Sequence, residues 1–371
     1  MRLKLITVLG LCLLLSSAFQ QITFAQDSTP AKTIPFTSIG FNSELSPNGK
    51  MLVTYENIYL QNLKEVDPSL LPMHVIDITS GKYVGQLSGF SDYASGVAFT
   101  SDSRQLVSVH MNGDVNIWNV STLKLVKTYQ TLLIGNSSLS IFPDNRRILL
   151  MSGGIPQRFL VFDTQTGAIT KVIGKHLDSL MEFQSQYTQF PGMGDIQFSS
   201  YALSADGKQL ATATANDEVG IWQIDDNSYQ QLAPAGKQYG SYAIRSMAFT
   251  KDGKTLVFSN TMDKKIHVWD VASKAEKATV DGVTDALGLS PDGKMLVWTS
   301  RGQDQPSTIL VAPLDALDQA KVLLTLAKDY KFGPRMTSVR FTPDGKQVVV
   351  SGLFASNEAP NQIYVLDVPS S

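Results

Sequence analysis

Cysteine is almost missing from this chain, and the single one, Cys12, lies inside an apolar leader. Arg2 and Lys4 open that leader, Leu5–Leu15 is almost wholly apolar, and Thr23-Phe24-Ala25 offers small residues where a signal peptidase reads. This order predicts an export signal over residues 1–25, cleaved after Ala25, and a secreted or periplasmic destination. The apolar run is shorter than the roughly 20 residues of a membrane span, which disfavours the alternative of an uncleaved anchor. Leu11 is bulky where a lipoprotein signal needs a small residue, so Cys12 does not read as a lipid-bearing cysteine. The mature chain then has no thiol and no disulfide, and its fold rests on a core. About 345 residues can bury a large one.

A strong charge of either sign is also lacking. The full chain has 31 basic and 33 acidic residues, and removing the leader leaves 29 against 33. That mild acidity gives no electrostatic case for nucleic acid or anionic lipid as partner. The four histidines, His74, His110, His176 and His267, are far apart in sequence and form no metal-binding pair. There is no Gly-x-Ser-x-Gly elbow, no phosphate-cradling glycine loop and no calcium loop. Asp225-Asp226 is the one adjacent carboxylate pair that invites an acid/base reading, and its place just after a strand favours a solvated turn. No catalytic residue, metal or cofactor is therefore assigned. Asn119-Val120-Ser121 and Asn136-Ser137-Ser138 match the glycosylation pattern only weakly.

What the chain does have is a repeated turn. It reads Ser46–Lys50, Thr100–Arg104, Phe142–Arg146, Ser204–Lys208, Thr250–Lys254, Ser290–Lys294 and Thr342–Lys346, with Asp-Gly at the centre of four copies. Asp-Gly between apolar runs signals a hairpin because glycine supplies the positive φ that the turn needs. Recurrence every few tens of residues signals a repeat architecture. Each turn joins two strand-like runs, a and b, and a second pair, c and d, follows. In the second repeat these are Ser95–Phe99, Gln105–Val109, Val115–Asn119 and Leu125–Thr128. Strand c ends on a recognisable triplet: Val75-Ile76-Asp77, Ile117-Trp118-Asn119, Val161-Phe162-Asp163, Ile221-Trp222-Gln223, Val268-Trp269-Asp270 and Val365-Leu366-Asp367. The sixth repeat, with Leu310-Val311-Ala312, lacks the polar residue.

Val268-Trp269-Asp270 carries the Trp-Asp dipeptide, and Gly89-Phe90-Ser91-Asp92 follows the Gly-His pattern with Phe90 in place of the histidine. On these residues the chain resembles the WD-repeat β-propeller family, in a degenerate form. The resemblance spans essentially the whole mature chain. It implies an all-β fold, a single seven-bladed propeller over residues 26–371 with four-stranded antiparallel blades and an irregular insertion at about 175–199. The last repeat stops after strand c, so Lys32–Phe36 is expected to pair beside Ile363–Val368 and close the ring. Because no repeat has a clear Gly-His, the buried His–Ser–Trp network of the family is expected to be absent. His74, His110 and His267 fall where the family pattern is variable. Trp118, Trp222, Trp269 and Trp298 read as packing residues.

In such a propeller the a–b and c–d turns share one face, and the b–c and d–a connections share the other. The regular turns all fall on the first face, which is expected to carry no function. The long connections, about Glu56–Pro72, Lys175–Ser199, Arg301–Ser307, Lys328–Arg335 and Leu353–Asn361, collect on the second. Long loops in a compact fold are usually functional or disordered. Phe183, Tyr187, Phe190 and Met193 in the insertion, with Tyr330, Phe332 and Phe354, are the candidate binding residues, since aromatics and methionine favour interfaces. The competing reading packs the insertion onto the propeller itself. The expected function is a monomeric, exported, non-enzymatic scaffold for a protein or peptide. The alternative is a propeller enzyme, similar to lactone hydrolases or quinone-dependent dehydrogenases, with its site at the channel mouth. Two or more converging carboxylates or histidines there would favour it. Carbohydrate binding is neither supported nor excluded.

Overall fold

A computed structural model describes residues 31–36, 42–55, 73–131, 138–152, 157–174, 198–234, 242–282, 284, 286–300, 307–326, 335–353 and 361–369. The leader and the 26–30 stretch lie outside them, as do the 301–306 connection and most of the insertion. The first strand, β1 (Lys32–Phe36), precedes blade 1: β2 (Asn42–Leu45), β3 (Met51–Tyr55), β4 (Met73–Asp77) and β5 (Lys82–Leu87). Blade 2 is β6 (Ala94–Phe99), β7 (Gln105–His110), β8 (Asp114–Asn119) and β9 (Lys124–Gln130). Blade 3 is β10 (Ser138–Ile141), β11 (Arg147–Met151), β12 (Phe159–Asp163) and β13 (Ala168–Ile173). Blade 4 is β14 (Phe198–Leu203), β15 (Gln209–Thr214), β16 (Val219–Gln223) and β17 (Tyr229–Ala233). Blade 5 is β18 (Ile244–Phe249), β19 (Thr255–Asn260), β20 (Lys265–Asp270) and β21 (Ala275–Asp281). Blade 6 is β22 (Leu287–Leu289), β23 (Met295–Ser300), β24 (Thr308–Pro313) and β25 (Lys321–Thr325). Blade 7 is β26 (Arg335–Phe341), β27 (Gln347–Leu353) and β28 (Asn361–Asp367).

Every blade is a four-stranded sheet, and blade 7 takes β1 as its fourth strand in the order β1-β28-β27-β26. β1 runs antiparallel to β28 with Lys32 opposite Val365 and Phe36 opposite Asn361, as the missing seventh strand d predicts. Ile34 is buried beside Leu45, Leu52 and Ile76 of blade 1 and Val349, Ile363 and Val365 of blade 7. Burying one such side chain contributes about 1.5–3 kcal/mol, so the closing strand is part of the core as well as an edge cover.

Inner strands and outer strands read differently for a physical reason. β7 and β8 are sandwiched between neighbouring blades and are buried at almost every position. Strand d has one solvated side, and β9 is exposed along nearly its whole length. The core accordingly lies in layers between blades. One cluster joins Val257, Ile266 and Val268 of blade 5 to Leu287, Leu296 and Trp298 of blade 6. Another joins Val107, Val109 and Val115 of blade 2 to Ile148, Leu150 and Phe162 of blade 3.

The repeated turn forms the same geometry in all seven blades. The fourth residue donates its N–H to the carbonyl of the first, as in Gly49 to Ser46 and Gly345 to Thr342, both at 2.8 Å. That fourth residue is left-handed in each copy, with φ between 56° at Asn145 and 72° at Gly293. Ser103 and Asn145 adopt it without being glycine. Asn145 compensates across the blade boundary, accepting from Ser101 N at 2.6 Å and donating to Ser101 Oγ at 2.8 Å. In blade 3, with Phe142 first, Asp144 accepts from the N–H groups of Arg146 and Arg147. Where the first residue is Ser or Thr and the third is Asp, the acid accepts from that hydroxyl and from the fifth N–H. In blade 7 these are Thr342 Oγ1 at 2.6 Å and Lys346 N at 3.1 Å from Asp344 Oδ1. The Thr342 hydroxyl, first, and the backbone N–H hold the Asp344 carboxyl below its usual range.

The polar residue ending strand c has an equivalent task. Asp77, Asn119, Asp163 and Asp270 each accept backbone N–H groups of the following c–d turn. In blade 6 the pairing puts Pro313 at that position and Ala312 where the tryptophan stands in blades 2 and 5, one residue later than the sequence reading placed the triplet, and the chain turns instead through a short 3-10 helix, Leu317–Gln319. Asn119 spends its side-chain oxygen on Ser121 and Thr122, so this glycosylation match is a turn cap.

Candidate functional site

Strand pairing puts the start of each strand a beside the end of its strand b, as in Ser138 opposite Met151, so b–c and d–a connections open on one face. Phe183, Tyr187, Phe190, Met193, Tyr330, Phe332 and Phe354 all lie outside the described residues. What is described is the root of the insertion. Phe198, where the chain re-enters blade 4, has its ring 4.9 Å from that of Phe159, which lies 5.1 Å from Tyr201. The N–H of Phe198 donates to Gln157 Oε1 at 2.6 Å. The chain therefore leaves the insertion at a fixed aromatic root.

Two further residues stand on this face. Tyr242, before strand a of blade 5, and Met262, in the b–c turn of the same blade, are exposed by 37% and 56%. Thr261 N donates to Ala243 O at 3.0 Å, which brings the two short segments side by side. Asp217, in the b–c turn of blade 4, accepts Ala243 N at 2.8 Å and Ile244 N at 3.3 Å and holds the segment from the other side. Neither residue stood out in the sequence, because Met262 sits in a short b–c turn and Tyr242 directly before a strand, outside the long connections singled out there. Their exposure is set by the pairing of turns, which composition does not reveal.

The central channel carries a sparse polar cluster. Burial pushes the Glu44 carboxyl up, partly offset by the Arg340 charge. Tyr201 is pushed up to about 12, first by burial. Tyr55 is also raised, again by burial first and then by Glu44. Glu44 is the single carboxylate of this cluster among the described residues, with no imidazole beside it. No group of three or more His, Cys, Asp or Glu side chains fit to hold a metal occurs among the described residues. Asp225 and Asp226 are solvated, and Asp226 caps its own turn by accepting Ser228 N at 2.9 Å.

The expected absence of a His–Ser–Trp network is overturned in blade 2. Trp118 Nε1 donates to Ser108 Oγ at 2.9 Å, and Ser108 Oγ lies 2.9 Å from His110 Nε2. His110 Nδ1 lies 2.8 Å from the Asp92 carbonyl. The histidine comes from the end of strand b instead of a Gly-His dipeptide. Ser108 and His110 are two residues apart on one strand and so project to the same side. Phe90, which replaces the Gly-His histidine, packs its ring 4.8 Å from that of His110. The donors decide the tautomer. Asn116 Nδ2 also points at Nε2, at 3.0 Å, so Nε2 accepts and Nδ1–H donates to Asp92 O. Burial, the largest cause, holds the pKa of His110 below its ordinary value. Ser108 and His110 are both fully buried, so this Ser–His pair touches no substrate and its work is structural.

The model of the WD domain, G-beta repeat, matches residues 81–119 and 235–270. The first of these stretches contains Ser108, His110 and Trp118. This chain is a WD-repeat β-propeller. Among solved structures, this propeller superposes on a chain of the mitotic checkpoint complex with a TM-score of 0.65 at 18% identity, covering 98% of this chain and 99% of the other. It superposes equally, at 0.65 and 11% identity, on the Cps50 (Swd1) propeller domain of Myceliophteria thermophila, covering 92% and 100%. Among curated relatives it is 19% identical to a WD repeat-containing protein WDS homolog of Arabidopsis thaliana over 72% of this chain and 54% of the relative. It is 29% identical to an uncharacterised WD repeat-containing protein of Synechocystis over 41% and 40%. The propeller thus spans about half the length of these relatives or less.

Proposed function

We propose that this WD-repeat propeller is an exported, non-enzymatic scaffold that captures a protein or peptide through the face bearing its b–c and d–a connections. WD-repeat propellers generally serve as interaction platforms, and the mitotic checkpoint chain is one found within an assembly. The observation that carries the reading is that Tyr242 and Met262, an exposed aromatic and an exposed thioether, stand on two segments joined by the Thr261–Ala243 hydrogen bond on that face. Such residues are enriched at interface cores. Export rests on the leader, and the candidate loop residues extend the same face.

Mild cross-linking in the native compartment, followed by purification, is expected to recover a stoichiometric partner. Replacing both Tyr242 and Met262 by alanine is expected to reduce that recovery at an unchanged melting temperature. Consistent recovery of the protein alone would overturn the reading.

A further inference from the structure

The opposite face, built from the repeated turns, is expected to be inert. It nevertheless holds a cleft of about 270 Å³ where blades 6, 7 and 1 meet. Leu45 and Phe341 supply apolar walls, Pro47, Pro291 and Pro343 form its rim, and Arg340 reaches into it. We propose that this cleft binds the C-terminal carboxylate of a peptide whose last side chain is apolar.

Two independent observations point to an anion. The first is the state of Arg340. Its Nη1 donates to the neighbouring Val339 carbonyl at 3.1 Å, and the guanidinium makes no other hydrogen bond among the described residues. An exposed fork with donors to spare matches a carboxylate in two-pronged fashion. The second is the repeat itself. Six of the seven turns carry Asp at their third position, and the seventh carries Asn48. That uncharged copy belongs to blade 1, at the wall of the cleft. Lys50, Lys294 and Lys346 end the three turns around it, so the local balance is positive. One arginine with no second guanidinium suits a single carboxylate better than a phosphate.

The apolar part selects what accompanies the carboxylate. Proline fixes its own backbone, and Pro343 is further wedged by the blade 1 turn: a Cβ on Gly49 would stand 2.5 Å from its Cδ. A preformed wall spends little ordering entropy on binding. Leu45 and Phe341 face it with nothing polar between them but Ser46 and Arg340. Glu44, which makes no hydrogen bond among the described residues, feels the Arg340 charge from behind. A ligand carboxylate on Arg340 would compete with that attraction, so removing the Glu44 charge should strengthen binding.

The test is calorimetric titration of the full chain with two short peptides, identical except for a free C-terminal carboxylate or an amide, both ending in leucine. The acid is expected to bind at least about tenfold more tightly than the amide. Arg340→Met should abolish that preference, and Glu44→Gln should raise affinity for the acid about two- to fivefold. Because the acid–amide pair is compared on the unaltered protein, a poorly folding variant does not blunt the test. Equal binding of acid and amide, or no binding of either at about 1 mM, would overturn the proposal.

Discussion

Blades 2 and 5 carry the same tryptophan on strand c and treat it in opposite ways. In blade 2, Leu106 lies opposite Trp118, and the residue two further along β7 is Ser108, which receives the indole N–H. In blade 5, Leu256 lies opposite Trp269, and two residues further along β19 stands Phe258. The hydroxyl is one residue beyond, at Ser259, and a one-residue slip turns a side chain to the other face of the sheet. Both Trp269 Nε1 and Ser259 Oγ are left without a hydrogen-bond partner among the described residues. His267 is equally lost to any such network, since its two nitrogens face Glu276 and Asp263 at 2.5 and 2.9 Å. Blade 4 is intermediate: Trp222 donates to Thr212 Oγ1 at 3.1 Å, and no histidine completes the chain among the described residues. The same tryptophan is thus a hydrogen-bonded anchor in one blade and a packing group in another: the register of strand b is the same in both, and the residue two beyond the leucine, Ser108 or Phe258, decides which.

Removing the hub of the blade 2 network gives the largest expected effect. Ser108→Ala leaves the buried Trp118 N–H without a partner and His110 Nε2 with Asn116 alone, and is expected to cost about 2–4 kcal/mol in chemical denaturation. Ser259→Ala in blade 5 deletes an unpartnered hydroxyl and should be neutral or slightly stabilising. Equal losses at the two serines would break the comparison. Next comes Trp118→Phe against Trp269→Phe. The first loses packing and a hydrogen bond, about 2–3 kcal/mol, and the second loses packing alone, about 1 kcal/mol. Thr212→Val should fall between the blades, at about 1 kcal/mol.

The smallest effect is the pH dependence. The folded pKa of His110 is depressed by burial, so the unfolded chain takes up a proton at higher pH than the folded one. Its contribution is complete above the unfolded value of 6.5 and is lost as pH falls from there through the folded value. Denaturation at a series of pH values between 8 and 5 is therefore expected to show a decline that is shallower in the His110→Ala variant, where His74, also depressed by burial, still contributes.

The repeat made the architecture legible from residues alone. The blade count, the faces and the closing strand Lys32–Phe36 follow from seven turns and a missing last strand, because turn chemistry is local. The His–Ser–Trp network was not legible in the same way. A search for Gly-His looks at the d–a connection, whereas His110 reaches the same space from strand b. Only the pairing of β7 with β8 brings His110, Ser108, Asn116 and Trp118 together. Tyr242 and Met262 escaped notice for a related reason, since exposure depends on which turns neighbour each other. The cleft beside Arg340 depends on three blades at once and has no counterpart in any sequence window.

These differences bear on function. A Ser–His pair at 2.9 Å resembles the start of a hydrolytic constellation, yet both residues are sealed between blades 1 and 2 and bonded inward to Trp118, Asn116 and Asp92. The chemistry is spent on holding a blade together, which leaves the surfaces, not the buried polar groups, as the places where this propeller meets other molecules.

The most direct measurement is a long-range nitrogen–proton NMR correlation of the imidazoles between pH 5 and 8. If His110 is the acceptor of Ser108 and Asn116, it will remain neutral with its proton on Nδ1 at pH 6.5, where a free histidine is half protonated. A His110 that titrates near 6.5, or that carries its proton on Nε2, would contradict the account.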